Sequence, residues 1–123
     1  MKNVNINCFK NSISFVMKTF TNQPISFKKI STLERKEYVF NNIIVAISFC
    51  GDYYGNVYLS MNELVAHNIT SAMLGGIEVT ETDEITKSAI GELCNMIMGT
   101  ISKSLPDYNI KMDFSTPTVI SDE

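Results

Sequence analysis

The sequence predicts an α+β fold: a largely antiparallel sheet with helices packed on one face, in the order α-β-β-β-α-α-β. Three observations predict it. Asn56 to Met61 and Tyr108 to Phe114 alternate apolar and polar residues with a period of two, as half-buried strands do. Ile43 to Phe49 is dense in β-branched and aromatic residues, as a buried strand is. Two segments with apolar residues three and four apart, 4–20 and 82–105, supply helices. At 123 residues the chain fits one domain, 1–123, with a modest core.

Taken in order, Ile6, Phe9, Ile13, Val16, Met17 and Phe20 form the apolar stripe of a first helix, which Asn22 and Pro24 end. Ile25 to Ser31 has an imperfect strand pattern. Leu33 to Asn42 is a charged connection that can hold a short strand at Tyr38 to Phe40. After the Ile43–Phe49 strand, Gly51, Asp52 and Gly55 provide turn chemistry, so Asn56–Met61 is the return strand of a hairpin. Asn62 to Leu74 is a helix with Asn62 as N-cap and Gly75-Gly76 as its stop. Thr82 or Asp83 caps the next helix, which runs to about Leu105 before Pro106. Tyr108–Phe114 is the last strand, followed by Pro117, Val119 and Ile120.

Composition excludes several function classes. Ten basic residues stand against thirteen acidic, for a net charge of −3, and no basic stripe is long enough to follow a phosphate backbone. Nucleic acid is therefore not an expected partner. Cys8, Cys50 and Cys94 are odd in number and far apart, which argues against disulfide and zinc frameworks; buried free thiols in a cytoplasmic protein are expected. Residues 1–20 are broken by Lys10, Asn11 and Lys18 and match neither a signal peptide nor a membrane span.

The helix from Thr82 to Leu105 is unusual. At about 100° per residue, Ile85, Ala89, Ile90, Leu93, Cys94, Met96, Ile97, Met98, Ile101 and Leu105 cover most of its circumference. Against them stands a narrow strip of Glu84, Ser88, Glu92, Asn95, Gly99 and Ser102, all within roughly 40° of one line. Either this is the solvated side of a packed helix, or its short side chains let a partner approach closely. In the second case Glu92 and Asn95, three apart, reach the same point on that partner. Wheel geometry leaves both open.

These residues resemble the signature of the CheX/CheC/FliY family of chemotaxis phosphatases: Asp or Ser, three residues, Glu, two residues, Asn, then Pro about 22 residues on. Here it reads Ser88-Ala89-Ile90-Gly91-Glu92-Leu93-Cys94-Asn95, with Pro117 after 21 intervening residues. Gly51 to Gly55, Met73-Leu74-Gly75 and Pro117-Thr118-Val119-Ile120 also look like the family. One copy of the motif makes CheX the nearer match. Ser12 in the first helix is followed by Val16 and Thr19 where a second Glu and Asn would fall, so one active site per chain is expected.

The resemblance implies a CheX-like fold and hydrolysis of the aspartyl phosphate on a CheY-like receiver domain. It assigns Asn95 to holding the attacking water and Glu92 to pairing with the receiver's lysine. Ser88, Gly91, Gly99 and Ser102 are expected in the partner-binding face, and Pro117 in a structural role beside the site. No metal or cofactor of its own is implied; Mg²⁺ belongs to the receiver. The family also implies a homodimer pairing through its sheets. Because the sequence ends six residues after Pro117, the last strands of the family fold are expected to be missing, leaving an unpaired edge. The rival reading is an adaptor that binds a receiver or the flagellar switch without turnover.

Other residues carry less. His67 has no nucleophile recognisably beside it and reads as a surface or boundary residue. Asp52 suits a turn, Gly75-Gly76 lacks a nucleotide-loop context, and Tyr53-Tyr54 suits sheet packing as well as surface contact. The methionines of the long helix read as core filler.

Overall fold

Ile43–Gly51 forms β1, the strand around which the other elements are arranged. The computed structural model describes residues 3–22, 25–27 and 41–121. Gly55–Met61 (β2) pairs antiparallel with one edge of β1, from Phe49↔Gly55 to Ile43↔Met61. Met112–Phe114 (β3) and Thr118–Ser121 (β4) share its other edge, also antiparallel. Alternation then decides the faces. Ile43, Val45 and Ile47 are buried in the core, while Ser48 and Cys50 are exposed on the opposite face.

The helices are Asn3–Val16 (α1), Glu63–Met73 (α2) and Glu84–Ser104 (α3). Ile90, Leu93, Cys94, Ile97 and Ile101 of α3 recur at helical spacing and enter the same core as β1, with Cys8 and Val16 from α1 and Ala66 and Ile69 from α2. Each fully buried isoleucine contributes roughly 1.5–3 kcal/mol relative to leaving it in water. The α+β class, the antiparallel sheet and the one-sided helices agree with expectation. Among the described residues no helix is long and apolar enough to cross a membrane.

Several details differ from the sequence reading. The first helix passes at Met17–Thr21 into a π-helical turn, ended by Asn22 in the left-handed conformation. The wider turn rotates its residues relative to α1, so Thr21 is buried and Phe20, expected on the apolar stripe, is exposed. Residues 25–27 lie outside any strand, and the rest of the expected Ile25–Ser31 strand and Tyr38–Phe40 fall outside the described residues. Tyr108 is not in a strand: Leu105–Tyr108 is a 3₁₀ turn with Pro106 in its first turn, and Asn109 is left-handed. The strand therefore begins at Met112. Cys50 is exposed rather than buried, because its even position in β1 points it away from the helices. Cys8 and Cys94 are buried as expected, and burial pushes the Cys94 thiol up to about 12.

The hairpin turn is tied to the β3 end of the sheet. Asp52 N–H donates to the Lys111 carbonyl at 2.8 Å, and Lys111 N–H donates to the Asp52 carboxylate at 2.8 Å. Gly51, at φ +137°, allows this approach, since a Cβ there would lie 2.9 Å from Met112 Cα and closer still to the Lys111 carbonyl oxygen.

Candidate functional site

Asp83 fixes where α3 begins. Its carboxylate accepts from Ile85 N–H and Thr86 N–H, each at 3.1 Å, so Asp83 rather than Thr82 is the cap. Thr86 is buried and donates to the Glu81 carbonyl at 2.7 Å. That contact turns Ile85, counted among the apolar face in the sequence, out to 60% exposure. With the helix phase set, Leu93, Cys94, Ile97 and Ile101 point into the core, while Ser88, Glu92, Asn95, Gly99 and Ser102 are exposed.

The second wall of the site comes from a break between β3 and β4. The register runs Phe49↔Phe114 on one side and Ala46↔Thr118 on the other, so Thr116 and Pro117 together oppose Ile47. This is a one-residue β-bulge. Pro117 has no N–H to give to a ladder, and a bulge is where a strand tolerates it. Ser115 closes the preceding position: its N–H donates to the Ser48 carbonyl at 2.8 Å, and its hydroxyl accepts from Ser48 N–H at 2.9 Å.

Helix strip and bulge face each other across an open groove of about 450 Å³, lined by Glu84, Lys87, Ser88, Gly91, Glu92, Asn95, Thr116, Pro117 and Val119. Five of the seven site residues expected from sequence thus meet at one groove: Ser88, Gly91, Glu92, Asn95 and Pro117. A Cβ on Gly91 would lie 3.6 Å from Val119 Cγ2, so here the helix backbone runs close to β4. Gly99 is not among the residues lining this groove, and Ser102 lines a separate depression with Gly51, Leu105 and Lys111.

Lys87 and Thr116 were not singled out from sequence. Lys87 pairs with Glu84 at 3.8 Å, a surface ion pair of small energetic weight. Thr116 owes its place to the bulge, and its position before Pro117 was the available signal. The groove offers a carboxylate, a carboxamide and hydroxyls at its mouth, all reachable by a protein surface. Elsewhere, Ser12 and Val16 of α1 are buried, so the first helix offers no second exposed copy of the strip. His67 is a half-buried boundary residue whose Nε2 lies 2.9 Å from Thr82 Oγ1.

Comparisons with known proteins agree with this arrangement. The family model for chemotaxis phosphatase CheX matches residues 43–123, which contain β1 to β4, α2 and α3 and every groove residue. The CheY-P phosphatase CheX of Thermotoga maritima is 35% identical over 81 residues, 66% of this chain and 52% of that protein. The chain therefore spans about half the length of the curated relative it matches. A CheC-like superfamily protein from Shewanella sp. PV-4 superposes with a TM-score of 0.89 at 27% identity, over 100% of this chain and 79% of that one. The CheX of a CheX–CheY–BeF₃–Mg²⁺ complex from Borrelia burgdorferi shares the fold, with a TM-score of 0.74 at 18% identity over 97% of this chain and 77% of that one. With a model match across most of its length and the motif gathered at one groove, this chain belongs to the CheX family of chemotaxis phosphatases.

Proposed function

We propose that this chain accelerates hydrolysis of the aspartyl phosphate on a CheY-like receiver domain in the cytoplasm. The observation that carries the reading is the exposure of Glu92 and Asn95, one turn apart on a helix whose opposite face is packed in the core, at a groove walled by the Pro117 bulge. The Thermotoga maritima relative, a CheY-P phosphatase, supports it, as does the existence of a CheX–CheY complex in this fold.

An acyl phosphate is already reactive, and Mg²⁺ on the receiver would neutralise charge on the phosphoryl group. What remains is chiefly to orient water in line with the bond that breaks. The Asn95 carboxamide holds that water, whose oxygen attacks phosphorus as the bond to the aspartyl oxygen breaks. The products are the receiver's carboxylate and inorganic phosphate. Glu92 pairs with the receiver's active-site lysine through a charge-assisted hydrogen bond and anchors the helix. Ser88 and Gly91 keep the surface low at the point of approach, and Pro117 holds the opposite wall.

The test is the decay of a radiolabelled phosphoreceiver with wild type, Asn95→Ala and Glu92→Ala. Asn95→Ala is expected to abolish acceleration while binding largely survives; Glu92→Ala is expected to weaken both. A wild-type chain that binds the phosphoreceiver yet leaves its decay unchanged would replace this reading with the adaptor.

A further inference from the structure

The ridge formed by the helix strip has two flanks. One is the polar groove described above. The other is a hollow of about 510 Å³ between the end of α2 and the start of α3, walled by Met73, Leu74, Ile85 and Ala89 and sharing Glu84, Ser88 and Glu92 with the polar groove. We infer that this apolar hollow is a second contact surface for the same phosphorylated receiver, taking an apolar side chain that neighbours the receiver's phosphorylated aspartate. The inference rests on the phosphatase reading and adds to it the residues that set affinity.

Size supplies the first argument. A stable complex buries on the order of 800 Å² on each partner, a patch roughly 30 Å across, and a strip of short polar side chains cannot supply that area. Ile85 lies ten residues before Asn95, a rise of about 15 Å along the helix, so one receiver can cover both. Chemistry supplies the second. Interface energy concentrates in apolar anchors seated in pockets, and of the two flanks only this one exposes them, with Ile85 at 60% and Leu74 at 41%.

The hollow is also held in shape. Leu74 N–H donates to the Thr70 and Ser71 carbonyls, and Gly75 and Gly76, both at positive φ, end the helix directly behind it. Because the hollow and the polar groove share three residues, an occupant of one abuts the other. A second copy of this chain suits the place poorly, since a two-fold contact here would bring Glu84 and Glu92 toward their own counterparts.

Ile85→Asp tests this with little risk to the fold, because an acid in the first turn of a helix is favoured by the helix dipole. Leu64→Asp is the matched control: Leu64 is also the second residue of its helix, is 67% exposed and does not line the hollow. In dephosphorylation assays across receiver concentration, Ile85→Asp is expected to raise KM about tenfold with kcat unchanged, and Leu64→Asp to change neither. A KM within about twofold of wild type for Ile85→Asp, or an equal rise for Leu64→Asp, overturns the inference. If wild type binds the phosphoreceiver without accelerating its decay, the phosphatase reading fails and affinity decides: about tenfold weaker binding by Ile85→Asp sustains the contact surface, and unchanged binding overturns it. Loss of a wild-type dimer in Ile85→Asp, with receiver binding unaltered, assigns the hollow to a second copy and also overturns it.

Discussion

Replacing Gly51 by alanine would put a methyl group 2.9 Å from Met112 Cα and closer still to the Lys111 carbonyl oxygen. It would also impose φ +137° on a residue that has a Cβ. Neither neighbour can step aside, because both belong to the backbone. The strained conformation costs about 1–3 kcal/mol. Relieving the clash by separating the strands would loosen the two hydrogen bonds between Asp52 and Lys111, at about 0.5–1.5 kcal/mol each. Together these give a destabilisation of about 3 kcal/mol, or about 12 °C in Tm for a domain of this size. Thermal and urea unfolding followed by circular dichroism would measure it. Gly91→Ala is the internal control, since its Cβ would meet only Val119 Cγ2 at an ordinary 3.6 Å. A Gly51→Ala protein melting within about 3 °C of wild type, or a Gly91→Ala protein losing as much, would refute the argument that the turn is pinned to the β3 end.

Two other outcomes are expected from the structure. A Cβ on Gly99, which lies exposed in α3, would meet nothing within 4 Å, so Gly99→Ala is expected to raise stability by about 1 kcal/mol in urea titrations. A loss would mean the helix needs glycine there for its fold. Burial holds the Cys94 thiol protonated up to about 12, against an ordinary value of 9.0. A raised folded value means that the contribution of Cys94 to stability is constant below about pH 9 and falls as pH rises from there toward 12, because only the unfolded chain releases the proton. The slope is at most about 1.4 kcal/mol per pH unit. Urea midpoints at pH 8 and 10.5 for wild type and Cys94→Ala should show the variant losing less stability over that interval. Equal losses would exclude Cys94 as the source.

Much of the site was legible because it lies on one helix. The identity and spacing of Ser88, Glu92 and Asn95 fix their common face whatever packs behind them, and the Asn62 and Asp83 caps, the Gly75-Gly76 stop after α2 and Pro106 after α3 let the ends of both helices be read within a residue or two. The π-helical turn at Met17–Thr21 was not legible, because nothing local distinguishes it from an α-helical turn; packing selects Thr21 over Phe20 for the interior. Cys50 misled for a similar reason: an apolar neighbourhood in sequence does not say which face of a strand is covered. The 3₁₀ turn at Leu105–Tyr108 shortened a strand whose alternation began too early, since Tyr108 and Ile110 pack against the core without belonging to the sheet.

Periodicity, capping and turn chemistry determined by themselves the helices, the hairpin, the fold class and the polar strip, because each depends on residues within a few positions of one another. Only the tertiary structure decided what faces that strip. The bulge that brings Thr116 and Pro117 to Asn95 arises from a register mismatch against β1, a strand some seventy residues earlier in the chain. The apolar hollow exists only because the end of α2 packs beside the start of α3. Long-range pairing is a sum of many weak contacts over the whole core, so no single segment carries it. The strip was written in one helix; the groove needed the sheet.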